Sequence, residues 1–467
     1  MDNIHRVVNN YFRDSETANT DHLSPVIILG KQYSPAPDRP QAQADLDNEN
    51  DDGHQHQQNH KLSRFISRSW RDSLTSSDGF SGSTSPSALQ KSTAWPHRIV
   101  DEIGARLYMT YRTDFPIKIN RSPNGPPSLT VGGLLRGQLD SSGFTTDAGW
   151  GCMIRSGQIL LANTLDRLLD QDRRRTISWF ADSPDAPFSI HKFVHHGEVD
   201  CGKYAGEWFG PSAAARCIQI LCQKFPNAAI RVYIGGDAGD VYEDRVLQAS
   251  GGLVNFRPTL ILLGMRLGIE KITPIYYDAL KFCLQLPQAV GIAGGRPAAS
   301  HYFFGYQGDN LFYLDPHFMR KALPFRSDWQ KYSAEELESV RTCAVRTIQL
   351  DAMDPSMLIG FLIRDADDWL DWTSRLSNFK GKKFIHVSKT EPRFGRAGGS
   401  SLDNNNSTSN HGVDADDDDE YVIHDTSYVD TTSDDVSDFE HINEGDDEIE
   451  CDDNEVMSLP SSFTASS

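Results

Sequence analysis

The amino-acid sequence predicts an α+β fold that spans about residues 95–391, flanked by two disordered tails. The first observation is a mixture of segments with helical spacing of apolar residues and short apolar runs typical of strands. The second is the composition of both ends, which are polar or acidic and poor in apolar residues. The roughly 295 residues between the tails are enough to bury one large core or two joined cores.

Residues 1–94 are predicted to form a mostly disordered N-terminal arm, because Ser, Asn, Gln, Asp and Pro dominate this stretch. The folded body is expected to begin near Trp95. Within the body, residues 123–143 are rich in Pro, Gly and Ser, which indicates a surface loop. No function of the arm or of this loop follows from their composition.

The elements of the body follow from the spacing of its apolar residues. Helices are predicted where these residues recur at helical intervals, at 153–170, 212–224, 276–286 and 366–376. Strands are predicted at short apolar runs, at 229–234, 259–263, 288–292, 302–306, 311–314 and 356–363. The Gly-Asp-Asn segment at 308–310 predicts a hairpin turn between two of these strands.

Residues 392–467 are predicted to be a disordered acidic tail. The chain has a net charge of -20, yet 21 of its 65 acidic residues and none of its 45 basic residues lie within 401–467. The rest of the chain is therefore close to neutral. Because the body lacks a net basic charge, we expect no nucleic-acid partner.

Composition also limits the cellular setting and the cofactors. The longest strongly apolar run, at 259–265, is too short to span a bilayer, and the first residues do not resemble a secretion signal. The seven cysteines are an odd number, widely spread, with no CxxC pair. This pattern fits reduced thiols better than disulfides or a zinc site. We therefore expect a cytoplasmic protein with no metal and no cofactor, and nothing requires more than a monomer.

Cys152 is the first candidate for chemistry. It follows Gly-Trp-Gly at 149–151 and stands where the helical pattern begins. Unpaired N–H groups and the positive end of the helix dipole lower the pKa of a cysteine at such a position and favour the nucleophilic thiolate. The alternative interpretation of this stretch alone is a buried cysteine that only packs, and Cys is often a core residue.

Asp315 and His317 favour the nucleophile interpretation of Cys152 over the packing one. They lie at positions i and i+2 just after a strand-like run, and in an extended conformation their side chains would share one face. The carboxylate would then orient the imidazole, whose other nitrogen could take the proton of a thiol. The order of an early Cys and a late His matches papain-like thiol proteases. The glycine-rich segment at 291–302 lacks the spacing of a phosphate-binding loop and is interpreted as a mobile gate.

The sequence as a whole resembles the autophagy-related cysteine proteases, which process a ubiquitin-like autophagy modifier. The matching blocks occur in order from about residue 95 to 376. They are Thr-Tyr-Arg at 110–112, Phe-Pro at 115–116, Thr-Asp at 146–147, Gly-Trp-Gly-Cys-Met at 149–153, Trp-Phe-Gly-Pro at 208–211, Gly-Gly-Arg-Pro at 294–297, His-Tyr-Phe at 301–303, Tyr-Leu-Asp-Pro-His at 313–317, Leu-Asp at 350–351, Asp-Pro-Ser at 354–356 and Gly-Phe at 360–361.

The resemblance implies a papain-like fold with a small inserted subdomain at about 180–275. It implies that Cys152 is the nucleophile, that His317 is the base oriented by Asp315, and that Tyr111 lies in the oxyanion hole. The implied reactions expose the terminal glycine of the modifier precursor and release the modifier from phosphatidylethanolamine. Membrane contact would come only through the lipidated substrate, with recruitment to autophagic membranes.

The resemblance also implies a gate over the nucleophile, formed by Trp208 and the loop around Pro297. Without the resemblance, a core aromatic would be the favoured interpretation of Trp208.

Within the acidic tail, Ser-Asp-Phe-Glu-His-Ile at 437–442 is interpreted as a modifier-binding motif. Phe439 and Ile442 would fill two pockets as the segment adds a strand to the modifier's sheet.

Two other function classes remain open. One is a catalytically silent adaptor that only binds the modifier, which the joint presence of Cys152, His317, Asp315 and Tyr111 disfavours. The other is a papain-like hydrolase of ubiquitin or another ubiquitin-like protein, which the match to the gate residues disfavours.

Overall fold

A computed structural model of the protein describes residues 16–35, 94–125, 143–169, 171–236, 239–294 and 299–392. These residues combine helices and strands in one chain segment, which confirms the α+β class predicted from the sequence. The strands are β1 (Val26–Ile28), β2 (Lys31–Tyr33), β3 (Tyr111–Thr113), β4 (Ile119–Asn120), β5 (Gly143–Phe144), β6 (Arg231–Ile234), β7 (Asp240–Tyr242), β8 (Thr259–Arg266), β9 (Ala289–Gly294), β10 (His301–Gln307), β11 (Asn310–Leu314), β12 (Met319–Lys321), β13 (Thr347–Gln349), β14 (Ser356–Ile363) and β15 (His386–Ser388).

The helices are packed around these strands. They are α1 (His97–Gly104), α2 (Cys152–Leu168), α3 (Arg173–Trp179), α4 (Ile190–Cys201), α5 (Pro211–Lys224), α6 (Glu243–Ser250), α7 (Tyr277–Gln285), α8 (Ala334–Glu338) and α9 (Ala366–Asn378), with short 3₁₀ turns at Pro226–Ala228, Pro274–Tyr276, Trp329–Lys331 and Leu350–Ala352. Among the helices of the described ranges, none has the length and apolar character of a segment that crosses a bilayer.

The largest sheet has nine strands, with β13, β11, β10, β9, β14, β8 and β6 in spatial order. β6 and β8 are parallel, whereas the other neighbours in this order are antiparallel. Seven of the eight residues of β14 are buried. Because this central strand is covered on both faces, its sequence is a continuous apolar run instead of an alternating pattern.

All of the helices and strands predicted for the body are present, and their ends differ from the predicted ones by a few residues at most. The predicted hairpin is also present, because Gly308 and Asp309 form the turn between β10 and β11. Gly308 has a φ of 57°, a left-handed conformation that suits glycine in such a turn.

The N-terminal arm contributes more structure than the sequence predicts. β1 pairs with β10 and β2 pairs with β1, so the segment 16–35 belongs to the main sheet. Val26 and Ile28 are fully buried there. The expectation that the folded body begins near Trp95 is therefore wrong for this segment. The apolar run at 26–29 is only four residues long, and the polar composition of the arm around it outweighed this signal.

The stretch at 180–275, predicted as a small subdomain, supplies β6 and β8 to the main sheet. It also supplies α4 and α5, which pack against each other. Its independence as a subdomain stays a prediction.

The position of α2 determines where the candidate site forms. The helix packs against β9 and β10, and its first residue is Cys152. β11, which neighbours β10, ends at Leu314 and leads directly to Asp315 and His317. The packing of α2 on the sheet therefore places the beginning of α2 and the end of β11 in the same region.

Candidate active site

Two glycines shape the turn that leads into Cys152. Gly149 has a φ of 81°, which favours glycine. A Cβ added to Gly151 would lie 2.6 Å from Oδ2 of Asp147, so a larger residue would displace that buried carboxylate. Cys152 is then the first residue of α2, where the backbone N–H groups have no partner within the helix. The predicted position of the thiol at a helix N-terminus is confirmed.

Asp315 and His317 meet through a turn. Oδ1 of Asp315 accepts the backbone N–H of His317 at 3.0 Å and contacts Nδ1 of the imidazole at 2.5 Å. This is an Asx-type turn, in which a side chain bonds to the backbone two residues later. The predicted pairing is present, but the extended conformation expected for it is wrong, because Pro316 and His317 lie in a turn.

The His317 imidazole also lies beside the Cys152 thiol, and each group shifts the pKa of the other. Burial would lower the pKa of His317, but the hydrogen bonds and charges of Asp315 and Cys152 raise it to about 9. Burial would raise the pKa of Cys152, but the hydrogen bond and charge of His317, with the Ser300 N–H and the Tyr111 hydroxyl, lower it below its ordinary value. The two shifts favour a thiolate beside an imidazolium.

Asp315 is buried at 2% exposure and remains an anion in this setting. Burial would raise its pKa, but the hydrogen bond from His317 and the charge of His301 hold the pKa of Asp315 below its ordinary value. The backbone carbonyl of the same residue accepts a hydrogen bond from the hydroxyl of Tyr108. Asp315 is thus held in place by hydrogen bonds to both its side chain and its backbone.

Tyr111 reaches the thiol from β3. Its ring stands edge-on to the His317 ring with centroids 5.2 Å apart, and its hydroxyl and the Cys152 thiol shift each other's pKa. Burial and the nearby charges of Cys152 and Asp147 raise the pKa of Tyr111 well above its ordinary value. The phenol therefore keeps its proton and can act as a hydrogen-bond donor beside the sulfur.

A buried ion network lies beneath the thiol. Arg155 Nε contacts Asp147 Oδ2 at 2.7 Å, and Arg155 Nη1 contacts Asp182 Oδ1 at 2.8 Å. Oδ1 of Asp147 accepts the backbone N–H of Arg112 at 2.7 Å. These side chains are at most 2% exposed. The network joins β3, the glycine turn and α2, and it thereby fixes the positions of Tyr111 and Cys152 relative to each other.

Trp208 lies next to the glycine turn. Its indole Nε1 donates to the carbonyl of Gly149 at 2.9 Å, and the side chain is 52% exposed. The core-aromatic interpretation of Trp208 is therefore wrong. Pro297, the other predicted gate residue, lies outside the described residues, as do Phe439 and Ile442 of the predicted tail motif.

Two contacts at the site were not predicted from the sequence. The backbone N–H of Ser300 lowers the pKa of Cys152, and Nε2 of His301 lies 3.5 Å from Oδ1 of Asp315. A backbone donor leaves no trace in the residue type. His301 belongs to a block that carries the family resemblance, and this was the one available signal.

Three of these side chains have the composition of a metal site. The candidate ligand atoms of His301, Asp315 and His317 lie within 4.8 Å of one another. The contacts of both imidazoles with the carboxylate account for this arrangement, and we assign no metal to it.

Comparison with known proteins extends these observations. The family model described as the peptidase C54 catalytic domain matches residues 96–375. "Probable cysteine protease atg4" of Aspergillus niger is 52% identical over 309 residues, which cover 63% of this chain and 76% of that protein. The protein of the same name from Botryotinia fuckeliana is 43% identical over 409 residues, 83% of this chain and 92% of its own. "Cysteine protease 1" of Neurospora crassa is 48% identical over 342 residues, 70% of this chain and 67% of its own.

Proposed function

The chain belongs to the peptidase C54 family of cysteine proteases, and from this premise we propose how its site acts and on what. The substrate is the ubiquitin-like autophagy modifier. The enzyme cleaves the precursor after the glycine that becomes its C-terminus, and it also hydrolyses the amide that joins this glycine to phosphatidylethanolamine. Both reactions are acyl transfers at the same glycine carbonyl, so one site serves both.

The observation that carries the proposal is the Cys152 thiol at the start of a helix, beside a His317 imidazole whose Nδ1 lies 2.5 Å from Asp315 Oδ1. In the first step the Cys152 sulfur attacks the glycine carbonyl carbon and forms a tetrahedral intermediate. His317 then donates its Nε2 proton to the leaving nitrogen, and a thioester remains. In the second step His317 takes a proton from water, which attacks the thioester and releases the glycine carboxylate.

The developing oxyanion needs donors that are in place before the reaction. The backbone N–H of Cys152 at the start of α2 and the hydroxyl of Tyr111 fulfil this role. Loss of one such donor typically costs about 100- to 1000-fold in rate. The raised pKa of Tyr111 supports this role, because a neutral phenol donates and a phenolate does not.

The remaining parts of the proposal concern access and recruitment. The body has a papain-like fold and acts as a monomer in the cytoplasm, and it meets autophagic membranes through its lipidated substrate. Trp208 and Pro297 form a gate that the modifier's glycine tail displaces. The hydrogen bond of Trp208 to Gly149, three residues before the thiol, supports a gate that covers the nucleophile. Phe439 and Ile442 bind the modifier as an added strand.

A gel-shift cleavage assay tests the proposal. Purified protein and its Cys152→Ala variant are mixed, under reducing conditions, with the modifier carrying a tag after the terminal glycine. We expect cleavage at that glycine by the wild type and none by the variant. An intact substrate that still binds the wild type would favour the silent adaptor, and cleavage of a ubiquitin fusion instead would favour the other hydrolase.

A further inference from the structure

His301 is a buried titratable residue that the mechanism above does not use. It is the first residue of β10 and only 2% exposed. Nδ1 of its imidazole lies 2.8 Å from the carbonyl oxygen of Ala299, and Nε2 lies 3.5 Å from Oδ1 of Asp315. The ring thus stands between the backbone that precedes β10 and the carboxylate that orients His317.

The two neighbours of the His301 ring determine its protons. A carbonyl oxygen only accepts, so Nδ1 carries a hydrogen and donates it to Ala299. The carboxylate oxygen that faces Nε2 also only accepts, so a proton on Nε2 is favoured there as well. The other titratable groups that face the ring are Tyr313, with centroids 4.7 Å away, and His317, with centroids 5.2 Å away. Asp315 therefore faces two imidazole rings, those of His301 and His317.

The contact with Ala299 acts on the thiol through one peptide group. The carbonyl of Ala299 and the N–H of Ser300 belong to the same planar unit, and they point in opposite directions because the described residues contain no cis peptide bond. The carbonyl is held by His301, and the N–H is the backbone donor that lowers the pKa of Cys152. Fixing the carbonyl therefore fixes the direction of the N–H.

The Ser300 side chain secures the same unit from the opposite side. Its Oγ lies 2.5 Å from Oγ of Ser156, one turn after Cys152 in α2, and 3.3 Å from the sulfur of Met153. The start of β10 is thus tied to the first turn of the helix that carries the thiol. The His301 ring provides the matching connection to the turn that carries Asp315 and His317.

We propose that His301 is a positioning residue, which directs the Ser300 N–H toward the Cys152 sulfur and supplies a second imidazole partner to Asp315. Through the first contact it stabilises the thiolate, and through the second it keeps Asp315 ionised and ready to orient His317. The inference rests on the proposed function for the identity of Cys152 as the nucleophile.

The test is the pH dependence of Cys152 alkylation by iodoacetamide, followed by peptide mass spectrometry in the full-length protein. His301→Phe keeps a ring of similar size and removes both N–H groups. We expect its alkylation midpoint to rise by about one pH unit, a tenfold loss of thiolate below the midpoint. We also expect kcat/KM for tagged modifier to fall about 10- to 100-fold, as misplaced catalytic groups do.

Conservative variants separate the two contacts. His301→Asn keeps a donor near the Nδ1 position, toward Ala299, and His301→Gln keeps one near the Nε2 position, toward Asp315. Each is expected to move the midpoint less than His301→Phe does. Tyr302→Phe is the matched control, since it removes one buried hydrogen bond, from Tyr302 to the Val290 carbonyl at 2.7 Å, from the neighbouring residue of β10.

An unchanged midpoint in folded His301→Phe, judged by circular dichroism melting, would overturn the inference, and so would an equal shift in Tyr302→Phe. Should His301→Phe fail to fold, unchanged midpoints in both His301→Asn and His301→Gln would overturn it. Because alkylation needs no substrate, failure of the wild type to cleave the modifier would overturn the proposed function and leave this inference standing. Normal cleavage by the wild type, with unchanged alkylation midpoints in the His301 variants, would support the proposed function and overturn this inference.

Discussion

At the scale of single residues, the thiol and the imidazole of the site stabilise each other's charged forms. Burial opposes both charges, yet the pKa of Cys152 is lowered and that of His317 is raised. Neither charge would persist alone in so buried a place, because an isolated buried charge is strongly disfavoured. The ion pair therefore depends on contact between the two groups and on the carboxylate of Asp315 behind the imidazole.

The pH–rate profile follows from these shifts. The reactive pair exists above the lowered pKa of Cys152 and below the pKa of His317, about 9. We expect kcat/KM for tagged modifier to be bell-shaped, with its acid limb below the ordinary range of a cysteine thiol and its alkaline limb near pH 9. In Asp315→Asn the alkaline limb should move to lower pH, since the carboxylate is the main cause that raises the His317 pKa. An alkaline limb near pH 6.5 in the wild type would contradict this prediction.

The pKa shifts of His317 and Asp315 also make the stability of the folded protein depend on pH. The folded-state pKa of His317 lies above its ordinary 6.5, so its contribution is complete below pH 6.5 and is lost as the pH rises through about 9. The pKa of Asp315 is depressed, so its contribution is present above 3.8 and is lost as the pH falls through the lower folded value.

At the scale of elements, the site joins groups from four separate parts of the chain. Cys152 comes from α2, Tyr111 from β3, Ser300 and His301 from the start of β10, and His317 from the turn after β11. Sequence reasoning located Cys152 because glycines and a helix start surround it, and the Asp315–His317 pair because its two members are close in sequence. It missed Ser300 and the role of His301, since their partners lie over a hundred residues away in α2 or act through the backbone.

The N-terminal hairpin of β1 and β2 is expected to stabilise the sheet that carries the site. Ile28 in β1 is fully buried and pairs with Gly305 of β10, the strand that begins at His301. We expect Ile28→Ala to reduce the free energy of unfolding by about 2–5 kcal/mol, the usual cost of removing such a side chain from a packed core. Chemical denaturation of the full-length protein measures the loss.

Leu23→Ala is the matched control for the hairpin, because Leu23 precedes β1 and is 92% exposed. Its effect should stay within about 0.5 kcal/mol, as for most surface substitutions. An equal stability of Ile28→Ala and wild type would mean that the segment 16–35 does not contribute to the sheet in solution.

At the scale of the whole molecule, the predictability of each strand depended on its length and on the sequence around it. The central strands β8 and β14 were predicted because burial on both faces requires long apolar runs. β1 and β2 were missed because each has three residues and lies in a polar arm, so they are identified only by the pairing of β1 with β10 and of β2 with β1. The α+β class can thus be predicted from the local sequence, whereas the full extent of the sheet depends on contacts between distant segments.

The proposed modifier-binding motif lies in the acidic tail, whereas the proposed catalytic residues lie within 96–375. The acidic residues that make the chain negative are concentrated in 401–467, where Phe439 and Ile442 lie, while the rest of the chain is near neutral. We expect the double variant Phe439→Ala/Ile442→Ala to bind the modifier about tenfold more weakly, since two pocket-filling side chains are lost. Its kcat for soluble precursor should be unchanged, because the proposed catalytic residues all lie between Tyr111 and His317 in the sequence.

Calorimetric titration of the modifier into the double variant, built in a Cys152→Ala background, measures the loss of affinity without turnover. The matched control is Tyr421→Ala/His424→Ala in the same tail, where a histidine occupies the position that needs an aliphatic side chain. Because that segment lacks the second apolar group, it should contribute little, and its removal should leave the affinity near the wild-type value. Unchanged affinity in Phe439→Ala/Ile442→Ala would remove the tail from recruitment and assign substrate binding to the folded body.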